Sequence, residues 1–190
     1  MKISVILGSI RDERKSDRIA RYLMDRLSAY PNVRPVLLDL AVCQLPVFDS
    51  RWTQSESPDP SLVSFGEALS SSDGLILISP EYHGSYTGVL KNAMDHFWAE
   101  FKRKPMGVVA TGSGKFGGIN ASTEMQQLIL SVGGFPMPVK LIVPYIHKVL
   151  SASGTPLESF IEDDTSRFLD EFLWFAQAIR TAITQQPVSK

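Results

Sequence analysis

Residues 74–79 read GLILIS, apolar from Leu75 to Ile78 with no polar residue breaking the run. A strand that alternates apolar and polar residues can leave one face in water. A strand that is apolar at successive positions must be covered on both faces. Residues 106–111 (MGVVAT) have the same character, and residues 2–7 (KISVIL) approach it, with Ser4 as the one polar residue inside the run. Such strands predict a parallel sheet between two layers of helices. The intervening segments supply the helices. Ile19, Ala20, Leu23, Met24 and Leu27 recur at helical spacing within 16–30, as do Leu62, Phe65, Ala68 and Leu69. Val89, Leu90, Ala93, Met94, Phe97 and Phe101 mark a helix over 88–101. Further helices are expected over 120–132, closed by Gly133 and Gly134, and over 157–183. Strands at 33–39 and 140–143 bring the total to five.

Five strands alternating with five helices predict a doubly wound α/β sheet of the flavodoxin-like kind, order 2-1-3-4-5, with helices on both faces. A chain of 190 residues with 44% apolar composition suits one domain with a substantial core. Nineteen bases against twenty acids leave a net charge of -1, so bulk electrostatics favours neither nucleic acid nor an acidic membrane surface. The single cysteine, Cys43, excludes an internal disulfide and a cysteine-rich metal site, and points to a reducing compartment. His83, His96 and His147 lack metal-ligand spacing, so no metal is expected. No apolar stretch is long enough to span a bilayer, and the N-terminal apolar run ends in a charged loop, unlike a signal peptide. A cytoplasmic protein is the expectation.

In a sheet of this order, ligands bind beyond the carboxyl ends of the strands where the order reverses. The loops after the first, third and fourth strands should converge there. The first, GSIRDERKS (8–16), offers the hydroxyls of Ser9 and Ser16, the charges of Arg11 and Arg14, and the start of a helix. That combination suits a phosphate monoester. An N-cap at Ser16 and a solvated arginine face explain the same residues singly; position at the switch point favours the anion site. The loop lacks G-x-x-x-x-G-K-[ST], against a nucleoside triphosphatase. The loop GSGKFGG (112–118) contains G-x-G-x-x-G but follows the fourth strand rather than the first. It therefore reads as a turn able to bring backbone close to a flat ligand, or as an ordinary glycine-rich turn.

The loop after the third strand carries the most specific pattern. SPEYHGSYTGVLKNAMDHF (79–97) resembles the P-E-Y-N-x-S-x-P-G-x-L-K-N-A-x-D-W signature of the NADPH-dependent FMN reductase family. The opening GSIRDERKS resembles that family's phosphate loop, LPVFD (45–49) its L-P-L-[YF]-[DN] segment, and GSGKFGG its glycine-rich loop. The departures are His83 for the common asparagine, Thr87 for the common proline, and the Asp95-His96-Phe97 ending. The resemblance implies that Ser9, Arg11 and Ser16 hold the phosphate of FMN. It implies that Pro80, Glu81, Tyr82, His83, Gly84 and Ser85 border the ribityl chain and flavin ring. Gly112, Ser113 and Gly114 would approach the ring's pyrimidine edge. Tyr82, His83, Tyr86 and Lys115 are candidates to tune the site.

The implied activity is hydride transfer from NADPH or NADH through FMN to a small acceptor: free flavin, a quinone, an azo compound or a metal oxyanion. The cofactor carries such chemistry, so no catalytic side chain is assigned. A non-catalytic flavodoxin-like electron carrier is the alternative, disfavoured by the near-neutral charge. Ser85, His83 and Asp95 have the residue types of a hydrolytic triad but lack the G-x-S-x-G elbow and crowd into one turn and one helix. The loop over 45–60, with Arg51 and Trp52, is expected to influence acceptor choice. Arg14, Arg51 and Lys115 are the candidates for a 2′-phosphate contact. Phe97, Trp98 and Phe101 make the 88–101 segment apolar on more than one face, which together with the family resemblance leads to an expected homodimer or homotetramer.

Overall fold

A computed structural model describes residues 1–54 and 56–185. The chain begins with β1 (Lys2–Leu7), α1 (Ser16–Ser28), β2 (Arg34–Asp39) and the one-turn helix α2 (Leu40–Cys43). It continues through a 3-10 turn (Trp52–Gln54) to α3 (Pro60–Ser70), β3 (Gly74–Pro80), α4 (Gly88–Asp95) and β4 (Pro105–Thr111). The rest is α5 (Ile119–Ser131), β5 (Phe135–Val143), the short α6 (Ile146–Val149) and the long α7 (Ser159–Gln185). The strands form one sheet in the order β2-β1-β3-β4-β5, and its pairings are parallel. This is the expected flavodoxin-like doubly wound arrangement.

Strand side chains alternate between two cores. Val5, Ile76, Ile78 and Val109 face α1 and α7, where Leu23, Phe168 and Phe172 are fully buried. Ile6, Leu75, Leu77 and Val108 face the opposite layer, against Phe65 of α3, Met94 of α4 and Met125 of α5. Burial on both faces is what the unbroken apolar strands required. At Gly107 the close approach of a ring demands glycine, since a Cβ there would stand 2.8 Å from Phe168. Its absence lets the stacked Phe168–Phe172 pair lie against the sheet.

Three elements differ from the sequence reading. The helix expected over 88–101 stops at Asp95 and gives way to turns. Phe97 and Phe101 stay buried at 1% and 0% exposure, so their spacing reported burial rather than a continuous helix. Beyond the helix end the Glu100 carboxylate ties the turns down: it accepts hydrogen bonds from Trp98 N–H (3.0 Å) and from the Trp52 indole N–H (2.9 Å) on a distant loop. Of the three aromatic residues that suggested a partner on this segment, Trp98 alone is exposed, at 51%. The fifth strand begins at Phe135 rather than 140, despite Pro136 and Pro138. It lies at the sheet edge, where a missing N–H is tolerated. The first helix ends at Ser28 instead of 30, with Ala29 as its C-cap.

Candidate functional site

β1 stops at Leu7 because the chain must turn sharply past its neighbour. Gly8 N–H donates to Ile78 O (2.8 Å), and a Cβ on Gly8 would lie 2.9 Å from that oxygen and 3.0 Å from Leu90 of α4. The Thr87 hydroxyl donates to Gly8 O, and Thr87 N–H donates to Ser79 Oγ at 3.0 Å. The loops after β1 and β3 are thereby locked together. Thr87 also caps α4 through its side chain. Threonine at the family's usual proline position thus serves two structural purposes.

The loops after β1, β3 and β4 border one cleft of about 460 Å³. Ser9, Arg11, Ser16, Pro80, Glu81, Tyr82, Gly112 and Ser113 line it, as the sequence reading expected. The expected residues His83, Gly84, Ser85 and Gly114 do not. His83 (φ +52°) and Gly84 (φ +81°) are the two central residues of a tight turn closed by Tyr82 and Ser85 backbone hydrogen bonds of 2.8 and 3.1 Å. Two positive φ values in succession suit a pair with glycine second, and histidine is among the few non-glycine residues found in the left-handed region with some frequency. The turn presents Tyr82 to the cleft, while His83 projects as an exposed residue. Gly114 lies beside the cleft, and its carbonyl accepts from Tyr145 N–H at 3.2 Å.

At the floor, Ser9 and Ser16 are 1% and 2% exposed. Among the described residues neither hydroxyl has a hydrogen-bond partner. Leaving a buried hydroxyl unpaired costs about 1–3 kcal/mol, so an acceptor that enters the cleft recovers that deficit. α1 starts here, and Lys15 at its N-cap offers no side-chain acceptor. The positive end of α1 therefore faces the same space. Arg11 is exposed at the rim, with its guanidinium 6.0 Å from the centre of the Tyr82 ring. Hydroxyl donors, an uncapped helix start and a long-stemmed arginine fit the phosphate of a monoester such as FMN.

Arg14 also lines the cleft, but its guanidinium is engaged by the protein itself. It makes a two-pronged ion pair with Asp39 at the end of β2 and donates to Ser9 O. Its hydrogen bond to Asp39 raises its pKa above the ordinary guanidinium value. Arg14 is thus a brace that holds the Ser9 backbone against the end of β2, and its charge is largely matched by Asp39. Glu81 is likewise engaged: its carboxylate accepts from Asn120 N–H (3.0 Å) and Ala121 N–H (3.2 Å), capping α5. Cys43 lies outside this cleft, and burial followed by the nearby Asp39 charge pushes its thiol pKa up, away from nucleophilic chemistry.

Sequence reasoning missed Lys15, Thr111, Ile146 and His147, which also line the cleft. Thr111 ends β4 at the switch point, so topology carried a signal for it. Ile146 and His147 belong to α6, a helix of four residues that is too short to show periodicity. Among the described residues no group of three or more His, Cys, Asp or Glu side chains is placed to hold a metal.

Residues 1–148 match the family model described as NADPH-dependent FMN reductase. An NADPH azoreductase from Bacillus sp. (strain OY1-2) is 28% identical over 164 residues, covering 86% of this chain and 88% of that protein. An FMN-dependent NADPH-azoreductase from Staphylococcus aureus (strain USA300) is 32% identical over 147 residues, covering 74% and 76% respectively. Among solved structures, FerB, a flavoenzyme NAD(P)H:(acceptor) oxidoreductase from Paracoccus denitrificans, superposes with a TM-score of 0.80 at 23% identity over 93% of this chain and 97% of that one. That last likeness supports the flavodoxin-like architecture.

Proposed function

The chain belongs to the NADPH-dependent FMN reductase family, and from that premise we propose that the cleft between Ser9, Tyr82 and Ser113 is where it holds FMN. It is an NAD(P)H-dependent oxidoreductase that works through FMN. The chemistry supplied by the bound flavin is hydride uptake from a nicotinamide and release of two electrons to an acceptor. The residues of this chain bind and orient. Ser9 and Ser16 donate hydrogen bonds to the phosphate, Arg11 closes over it, and Arg14 holds Ser9 in register through Asp39. Pro80, Glu81 and Tyr82 form one wall; Gly112, Ser113 and Gly114 form the other. His83, Gly84 and Ser85 act by shaping the turn that carries Tyr82. No side chain is required as a general base, and none is assigned.

The observation that carries this assignment is the pair of buried, unpartnered hydroxyls on Ser9 and Ser16. Two relatives bear azoreductase names, which supports an azo compound as the acceptor, ahead of quinone, free flavin or metal oxyanion. The whole chain, 1–190, is read as one FMN-binding domain working in the cytoplasm as a homodimer or homotetramer. Among the described residues no helix is long and apolar enough to cross a membrane. The test is anaerobic addition of NADPH, then NADH, to the FMN-loaded protein, followed by the acceptor panel. Bleaching of the flavin and reoxidation by an azo dye, with parallel initial-rate lines, are expected. A flavin that binds but stays oxidised with both nicotinamides would overturn the reading.

A further inference from the structure

His147 lines the cleft from α6, outside the three loops that carry the family-like motifs, and is exposed. The ties on α6 place it at the phosphate end. At its start the helix is held to the loop after β4, where Tyr145 N–H donates to Gly114 O (3.2 Å) and Ile146 N–H to Gly112 O (3.1 Å). Its other end is held to the first turn of α1: Arg18 Nη1 donates to Leu150 O at 2.7 Å and to His147 O at 3.5 Å. The chain beyond α6 stays against that turn, since a Cβ on Gly154 would stand 2.7 Å from Arg18 O. His147 therefore lies on the α1 side of the cleft, which Lys15 and Ser16 also line. Among the described residues its imidazole has no hydrogen-bond or ion-pair partner.

The charged groups around His147 do not supply an anion for it. Glu81 lines the cleft but spends its carboxylate on α5. Glu13 and Asp17 line a separate depression with Arg18 and Arg21, and Asp17 is paired with Arg21 at 2.8 Å. The rest are cations: Arg11, Arg14 and Lys15 in the cleft, Lys148 beside the Tyr145 ring on α6, and Lys115 on the loop after β4. A further positive charge among these is favoured only with an anion beside it. We propose that protonated His147 is an additional contact to the flavin phosphate, supplied by α6 rather than by the loop after β1, so that part of the affinity for FMN is lost as the imidazole gives up its proton. Binding a phosphate favours the charged ring, so this contribution is present below the ordinary histidine range, about pH 6.5, and fades above it. A phosphate ester itself titrates near about pH 6, so the contribution is read by comparing a variant with the unmutated protein at each pH. The inference rests on the cleft being the FMN site, and the experiment separates the two.

FMN and riboflavin are titrated by flavin fluorescence, in mild acid and in mild alkali, into the unmutated protein and into His147→Gln. Glutamine keeps a neutral hydrogen-bond donor and removes only the charge. His147→Gln should weaken FMN roughly threefold to tenfold at about pH 6, and by less than about twofold at about pH 8.5. Riboflavin should bind the two proteins alike at both pH values, because it has no phosphate to sense the ring. An FMN ratio between the two proteins that is the same at both pH values overturns the contact, and so does a change that riboflavin shares. Both results do so even when the unmutated protein strongly prefers FMN to riboflavin. Equal binding of the two flavins by the unmutated protein overturns the phosphate site and, with it, this inference.

Discussion

The two ends of the sheet both carry concave surfaces that combine hydroxyl and cationic side chains, and they differ in how much polar capacity is left over. At the amino ends of the strands, Ser72, Asp73, Lys104, Pro105 and Arg180 line a cleft of about 280 Å³. There Ser72 Oγ donates to Ala68 O and is paired with Ser4 Oγ, both at 2.7 Å. Asp73 accepts from Lys2 N–H (2.8 Å) and faces Arg180 at 3.5 Å. Lys104 Nζ donates to the carbonyls of Ser72 and Ser70 at 2.5 and 3.2 Å. At the carboxyl ends, the hydroxyls of Ser9 and Ser16 are as buried and have no partner among the described residues. Positive charge and concavity therefore do not identify the site. Unspent hydrogen-bonding capacity on the lining of a cleft separates these two surfaces: Asp17, Ser61, His96 and Thr165 also bury unpartnered polar atoms, but none of them lines the cleft, whereas Ser9 and Ser16 do, and their cost in the free protein is recovered when a ligand arrives.

The largest expected effect comes from exchanging these two kinds of serine for alanine. Ser9→Ala with Ser16→Ala removes two charge-assisted hydrogen bonds, about 1.5–3 kcal/mol each, and should weaken FMN by roughly 10²-fold or more. The flavin-free protein should melt at the same temperature or slightly higher, since two orphaned hydroxyls are gone. Ser72→Ala should do the reverse: about 1 kcal/mol less stable, because Ser4 Oγ loses its partner, with FMN affinity unchanged. Fluorescence titration and thermal melts of the two variants check both halves.

A smaller contrast separates the two arginines of one loop. Arg11→Ala should leave stability within about 0.5 kcal/mol and weaken FMN roughly tenfold. Arg14→Ala should lower stability by about 1–3 kcal/mol, because Asp39 loses its half-buried partner. Urea unfolding without flavin separates these outcomes; equal destabilisation by both would remove the distinction between ligand contact and brace.

The smallest effect concerns Lys104. Burial lowers its pKa below the ordinary value of 10.5, with Asp73 and Glu100 acting in opposition. Between the folded value and 10.5 the unfolded chain binds more protons, so this group makes stability rise with pH across that window. Lys104→Met should remove that component. Comparing urea midpoints of the two proteins from neutral pH to 10.5 tests it, and an unchanged difference between them would show that the lysine titrates normally.

The sheet was legible because β3 and β4 are apolar through their centres and β1 is interrupted only by Ser4, a pattern that leaves only a two-sided cover. The end of α4 was not legible. Phe97 and Phe101 keep helical spacing, and the contact that holds the turns after Asp95, the Trp52 indole on Glu100, joins residues 48 positions apart. The first half of β5 was hidden by Pro136 and Pro138, whose tolerance depends on an edge position that only the assembled sheet defines. In the site, the hydroxyls of Ser9 and Ser16 were readable from a strand-to-helix turn at the switch point. The opposite fates of Arg11 and Arg14 were not, since the partner Asp39 belongs to a neighbouring strand. Likewise, Glu81 sits within the family-like motif yet commits its carboxylate to α5.

The most direct test of the phosphate site compares FMN with riboflavin, which lacks only the phosphate, in fluorescence titrations of the unmutated protein. Hydrogen bonds from Ser9 and Ser16 with the charge of Arg11 should make FMN bind at least about 10²-fold more tightly. Equal affinities for the two flavins would contradict the assignment and leave the loop after β1 as a solvated turn.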